Sequence, residues 1–507
     1  INSDVLLTYH DSYANGLSIN ASVGGNLMRR NYSYLGASVT GLVTPGIYKL
    51  SNGVSSPFVT SERIRKAINS VYFSANFNWK NLLFLDVTGR NDWSSTLPKD
   101  NRSFFYPSVS ASASMTDIFT LPEQISFFKL RASWAQVGND TDPYSTMKYY
   151  ETSNFPGSAV NPTTLYNTDF KPEISTSFEV GTDFRMFDNR IGIDLTYYQN
   201  VTKNQIISSP LDASSGYTSA IINAGKVRNR GVEITLEHRN QIGDFGYSIG
   251  GNVSFIDNEL TGLNGGSPIY SNYSNVMVVD QGYPLYYYWG YQYEGIYKTD
   301  QEVLEYLHGY DATTTPFHAG DSKYKDNNGD GVIDDKDRVK LGSSIPSINY
   351  GINIGMNWKN FDLQLFFQGV AGNKIYNQLR HRLEGTGTNS VLSPVMKNAW
   401  MQHTNDAGET YYDGSIPNPK NSVNYYVSDR FLENGSYFRL KNLQLGYTIP
   451  TAAIRKIGLE SCRLYLQGSN LLTATKYTGF DPEVGGGVDY GNYPQARSFI
   501  FGANISF

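Results

Sequence analysis

Apolar and polar residues alternate with a period of two in segment after segment of this chain, and nothing else in it constrains the fold so tightly. In its last stretch Phe499, Phe501, Ala503, Ile505 and Phe507 alternate with Ser498, Gly502, Asn504 and Ser506, and only Ile500 breaks the rule. A period of two belongs to a strand with one oily and one polar face. The pattern returns in Val71, Phe73, Ala75, Phe77 and Trp79. Across the tight Lys80-Asn81 turn it continues in Leu83, Leu85 and Val87, set against Asp86, Thr88 and Arg90. The clearest hairpin covers 174–186 and 191–197 around Asp188-Asn189, with Ile193 and Leu195 on one face and Asp194 and Thr196 on the other.

Further segments of this kind lie at 4–11, 17–28, 104–115 and 128–134. Paired segments follow at 232–236 with 247–255, 350–358 with 361–367, and 437–449 with 463–471. About fifteen strands result, each near the ~9 to 11 residues that a tilted strand needs to cross a bilayer. Tight turns alternate strictly with long loops, which are expected at 31–65, 91–103, 139–168, 258–347, 372–435 and 473–496. Outer-membrane barrels sort their connections in this way, with short turns facing the periplasm and long loops facing outside. The fold class expected is all-β, a transmembrane antiparallel β-barrel in the bacterial outer membrane. Its oily face meets lipid. Asp86, Arg90, Glu179, Asp183, Arg185, Asp194 and Glu233 face a wet lumen, where they line a solvated wall.

Composition agrees with a barrel that hides its apolar residues by alternation. The chain has 507 residues and is 40% hydrophobic, yet its mean hydropathy is -0.39 and no apolar run approaches the length of a transmembrane helix. Its 39 Tyr and 26 Phe suit interface girdles and polar-rimmed binding surfaces. A net charge of -5 offers no electrostatic footprint for nucleic acid. Cys462 stands alone, so neither an intrachain disulfide nor a cysteine metal cluster is expected. The chain opens at Ile1 with no basic and apolar leader, and the odd strand count implies that earlier strands are missing from it.

Two features of the large loop at 258–347 point to chemistry. The run from Asp326 to Asp337 fits a calcium loop, D-x-[DN]-x-[DN]-G with an acidic residue at position twelve. Asp326, Asn328 and Asp330 would ligate Ca²⁺ by side chain, Val332 by its carbonyl and Asp334 directly or through water, with Asp337 in place of the usual Glu. The other reading is an Asx-rich solvated turn without metal. The second feature is the ring-rich stretch of Tyr286, Tyr287, Tyr288, Trp289, Tyr291 and Tyr293. These rings suit stacking on sugars or clamping a peptide; the plainer reading is packing within the loop or against a partner. Enzyme chemistry finds no support: His10, His238, His308, His318, His381 and His403 show no ligand spacing, and no G-x-S-x-G occurs.

Ordered along the chain, several segments resemble the SusC/RagA group of TonB-dependent outer-membrane transporters. They are Phe105-Tyr106-Pro107-Ser108-Val109-Ser110, Phe128-Lys129-Leu130-Arg131-Ala132-Ser133 with Gln136-Val137-Gly138-Asn139, and Asn229-Arg230-Gly231-Val232-Glu233. Gly320-Asp321 with the run Tyr324 to Gly331 follows, then Phe438-Arg439-Leu440-Lys441-Asn442-Leu443 with Gly446-Tyr447. The resemblance implies a barrel of 22 strands, of which residues 1–507 would be the C-terminal part. It further implies an N-terminal plug, which the lumen-facing charged residues would meet in place of solvent, a segment contacting TonB-ExbB-ExbD, a SusD-like lipoprotein partner, and import of oligosaccharides or peptides. A passive porin or surface adhesin, and a soluble all-β binding protein, are the alternatives.

Overall fold

The computed structural model describes residues 1–507 apart from 153–156, 264–267, 271–275 and 386–392, and apart from the side chains of 151, 152 and 456. Fifteen strands form its main sheet. They are β1 (Asn2–Ser12), β2 (Leu17–Ser38), β3 (Phe58–Trp79), β4 (Leu83–Ser94), β5 (Ser103–Ser114), β6 (Ile125–Asn139), β7 (Glu173–Met186) and β8 (Ile191–Pro210). Then come β9 (Ser219–Ile242), β10 (Phe245–Leu263), β11 (Ile348–Trp358), β12 (Phe361–Ala371), β13 (Tyr437–Thr448), β14 (Ser461–Thr475) and β15 (Ser498–Ser506). Each pairs with its neighbours in sequence, so the sheet is an unbroken meander. A sixteenth short strand, Thr164–Leu165, joins parallel to Ser219 and Ala220. Among the described residues no helix is long and apolar enough to cross a membrane, which says nothing of strands.

Local chemistry sets the turns. Lys80 and Asn81 both take left-handed φ values, 53° and 56°, the pair of conformations that lets a two-stranded ribbon keep its twist through a tight turn. Phe187, Asp188 and Asn189 do the same between β7 and β8. At the same end of the sheet the connections 115–124 and 449–460 are longer, and each begins with a single helical turn, Met115–Ile118 and Thr451–Ile454.

Several strands outrun the period-two signal. A loop was expected at 31–65, but β2 and β3 are 22 residues each, and Ser38 still pairs with Phe58. β9 reaches 24 residues, more than twice what a bilayer crossing needs. Beyond lipid both faces of a ribbon meet water, so the backbone ladder continues while the side chains need not alternate. In that projecting section Tyr32, Tyr34 and Leu35 are all exposed.

The two faces of the sheet differ as alternation requires. Outward Phe73, Leu85, Leu130, Val180, Leu195 and Leu466 are exposed, an apolar band that only lipid would cover. Inward, Arg131 crosses β7 to reach Asp194 at 2.7 Å. It passes over Gly181, where a Cβ would lie 2.8 Å from its Nε. Arg463 meets Asp362 in the same way across β13. Apart from a small cluster of Ala224, Val227, Leu260 and Leu263 in the outer parts of β9 and β10, the buried apolar clusters lie chiefly in and beside the loops.

Candidate functional site

The described parts of three connections at the loop end, within 264–347, 372–436 and 476–497, fold together into one cap. Each contributes short strands to it. Tyr287–Gly290 pairs with Met277–Val279 on one side and Val339–Ser343 on the other. Lys374–Asn377 lies between Leu432–Asn434 and Val488–Asp489, so two different loops share one small sheet. Tyr288 ties them: its hydroxyl donates to the Gly487 carbonyl at 2.6 Å and lies 3.1 Å from the Lys374 carbonyl, a second acceptor.

One core of the cap is made of Tyr291, Tyr297, Val303, Leu307, Phe317, Tyr324, Ile333 and Val423. Its polar links are also buried. Tyr324 donates to the Val423 carbonyl at 2.8 Å, and Asp321 accepts from Asn424 Nδ2 at 2.9 Å and from Asn421 Nδ2 at 2.6 Å. Burial pushes the Asp321 carboxyl above the usual range, although these amide donors oppose the shift. Glu384 is held between Arg380 and Arg430 at 2.6 and 2.5 Å. Beside them, burial lowers the affinity of His381 for a proton, while its contact with the Tyr425 carbonyl at 3.0 Å acts the other way.

The six ring residues singled out in the sequence are placed unequally by this core. Tyr287 and Tyr288 are 1% exposed and Tyr291 is 8% exposed, so all three turn into the cap and present no face outward. Trp289 and Tyr293 are half-buried; Tyr293 receives Arg430 over its ring at 5.8 Å. Only Tyr286, at φ 55° and half exposed, points out. The exposed rings that alternation and clustering did not single out lie elsewhere, in Tyr411 and Tyr412 of the Thr410–Asp413 strand and in Tyr493. Isolated rings in loops carry no periodic signal by which to find them.

The calcium-loop residues do form one compact loop. Asp326 accepts from the Gly329 and Gly331 amides at 2.6 and 2.7 Å. Fully buried Asp337 accepts from the Asn327 amide at 2.9 Å through one oxygen and from the Asp334 amide at 2.9 Å through the other. Asp330 takes the Val332 amide, which holds its carboxyl below the usual range. Lys336 Nζ sits at the mouth, 3.8 Å from Asp330 and 3.6 Å from Asp334. Among the described residues no three acidic, His or Cys side chains converge as a metal cage. The donors are nonetheless hard oxygens: each Asp326 oxygen keeps a lone pair beyond its one backbone bond, whereas Asp337 Oδ1 accepts from both the Asn327 and Asn328 amides.

Residues 2–471 match the family described as TonB dependent receptor-like, beta-barrel. The chain belongs to that family. It is similar to TonB-dependent receptor P3 of Formosa agariphila, 29% identical over 534 residues that cover 100% of this chain and 52% of that protein. It is similar also to TonB-dependent receptor SusC of Bacteroides thetaiotaomicron, 25% identical over 477 residues, 88% of this chain and 44% of that one. The solved structure of the RagAB peptide transporter matches with a TM-score of 0.85 at 25% identity, over 100% of this chain and 55% of that chain. This chain therefore spans about half the length of the relatives it matches. It is a barrel wall of SusC/RagA type in the outer membrane, and the family is one of receptors and transporters.

Proposed function

We propose that this chain is the C-terminal wall and outer cap of a TonB-dependent importer that takes up oligosaccharides or peptides together with a SusD-like lipoprotein. The observation that carries this reading is the cap. Three loops are locked to one another through buried hydrogen bonds such as Tyr288 to Gly487, which makes a fixed outer platform of the kind a lipoprotein lid needs. The likeness to a peptide transporter supports peptides as one of the two cargo classes.

The inner wall supports a plug. On β7 and β9, Glu179, Glu233 and Glu237 face inward without a cation within ion-pair distance among the described residues, whereas Asp183 and Asp194 have Arg185 and Arg131. Unpaired carboxylates on a wall favour a cationic surface inside it. Energy would come through TonB-ExbB-ExbD. Ca²⁺ on Asp326, Asn328, Asp330, Val332, Asp334 and Asp337 would act as a structural clip for the cap rather than in chemistry; calcium titration of the purified protein, followed by calorimetry, would show no heat if this is wrong.

The test of the importer is purification from membranes in mild detergent, with mass spectrometry of bound molecules, beside uptake of labelled oligopeptides and oligosaccharides by cells with and without the protein. A co-purifying lipoprotein and uptake that stops when the proton-motive force is collapsed are expected. Uptake that continues without that force would make the protein a passive pore, and recovery from the soluble fraction would overturn the barrel altogether.

A further inference from the structure

We propose that the corner formed by Trp79 and Lys80 binds one anionic phospholipid of the leaflet at the turn end, its phosphate on Lys80 and an acyl chain in a groove on the outward wall of β4 to β6. The proposal rests on the outer-membrane barrel described above. The sequence carries the same four residues twice, Asn78-Trp79-Lys80-Asn81 and Asn357-Trp358-Lys359-Asn360. Both copies are tight turns between barrel strands. In each, the lysine takes a left-handed φ, 53° and 51°, and folds its ammonium over the neighbouring indole, at 5.1 and 5.3 Å from the ring. Both indoles point outward and are about half exposed. A tryptophan with a lysine beside it is suited to the membrane interface, the ring at headgroup depth and the charge in the polar layer.

The two corners differ in what lies behind the ring. At the second, one row of facing residues runs Phe245, Trp358, Phe361 and Tyr447, so large side chains fill the wall from strand to strand. Behind Trp79 the wall is hollowed instead. Leu85 faces Ala111, Ala111 faces Ala132, and Ala132 faces Val180. Two small side chains thus sit between Leu85 and Val180, which stand three strand spacings, about 14 Å, apart. The volume of the hollow is about 550 Å³, and Phe77 and Trp79 close its near side. A groove of this width is lined for a hydrocarbon chain. Lys80 has no carboxylate within ion-pair distance among the described residues, so its charge is free for a phosphate. A headgroup of net negative charge fits better than a zwitterionic one, which would bring its own cation beside Lys80.

The test is native mass spectrometry of the protein purified from membranes, stripped of lipid, and given either phosphatidylglycerol or phosphatidylcholine at equal concentration. One phosphatidylglycerol should be retained several-fold more than phosphatidylcholine. Lys80→Gln should remove that preference, Ala111→Phe should lower retention of both lipids, and Lys359→Gln should leave retention unchanged. Equal loss on Lys80→Gln and Lys359→Gln, or equal retention of both lipids by the unaltered protein, would overturn the site. Every variant is checked by the heat-induced gel shift of a closed barrel. A normal shift with no lipid preference defeats only this proposal, whereas absence of the shift in the unaltered protein defeats the barrel beneath it.

Discussion

The hydroxyl of Tyr288 donates to the carbonyl of Gly487 at 2.6 Å, joining two loops whose residues stand 199 positions apart. Gly487 is placed for this contact. Its φ is 77°, and a Cβ there would strike Ser344 and Tyr288. The carbonyl also accepts the Tyr376 amide at 2.8 Å, so it is never left without a donor. Tyr288→Phe should therefore cost only about 1 kcal/mol. Gly487→Ala, which meets both the strained φ and the clash, should cost more. Hydrogen exchange in 476–497 is the readout: exchange should quicken modestly in the first variant and strongly in the second, with the barrel strands unchanged. The reverse order would mean that Tyr288, not Gly487, holds the loop.

The two faces of β8 give a second prediction. Outward Leu195 is 41% exposed, and its neighbour Thr196 accepts from Arg131 on the inner wall at 2.5 Å. Leu195→Arg should destabilise the barrel by about 2 to 4 kcal/mol if it lies near the bilayer midplane, and Thr196→Arg by less. Folding into lipid vesicles against denaturant measures both, and equal costs would reverse the assignment of faces.

His381 predicts how the cap responds to acid. Burial lowers its pKa in the folded cap, and Arg430 and Arg382 push in the same direction while Glu384 opposes them. The unfolded segment then takes up a proton more readily than the folded one. Its contribution is fully present above the ordinary histidine value of about 6.5, and is lost as pH falls through that value towards the lowered one. Cap protection from proteolysis should decline on acidification across this window. His381→Asn should flatten the decline, and an unchanged slope would assign it to another group.

The proposed Ca²⁺ site at 326–337 would have Lys336 as a competitor at its mouth. Removing an exposed charge at 3.6 Å from Asp334 should tighten calcium binding by about fivefold or less, given solvent screening. Calorimetry on Lys336→Ala tests this, with Asp326→Ala as the variant expected to lose binding. Weaker binding in Lys336→Ala would show that the ammonium shapes the loop rather than opposing the ion.

Much of the barrel is legible in the sequence. Ile193, Leu195 and Tyr197 against Asp194 and Thr196 already state which way each side chain of β8 points, because a strand turns successive residues to opposite faces. Asn81 and the pair Asp188-Asn189 likewise announce their turns as residues that tolerate left-handed φ. The outer reaches of β2, β3 and β9 were not legible, since a ribbon with water on both sides needs no alternation to hold its ladder.

The sequence by itself determined the order of the strands, the lipid and lumen faces, and the ends at which the chain turns, because each of these depends on residues within a few positions of one another. Only the tertiary structure decided the cap. That Tyr287, Tyr288 and Tyr291 are core while Tyr286 is surface follows from the loops that close over them, and Gly487 and Lys374 meet Tyr288 from far along the chain. Burial of a loop residue is a property of its distant neighbours, and no local period records it.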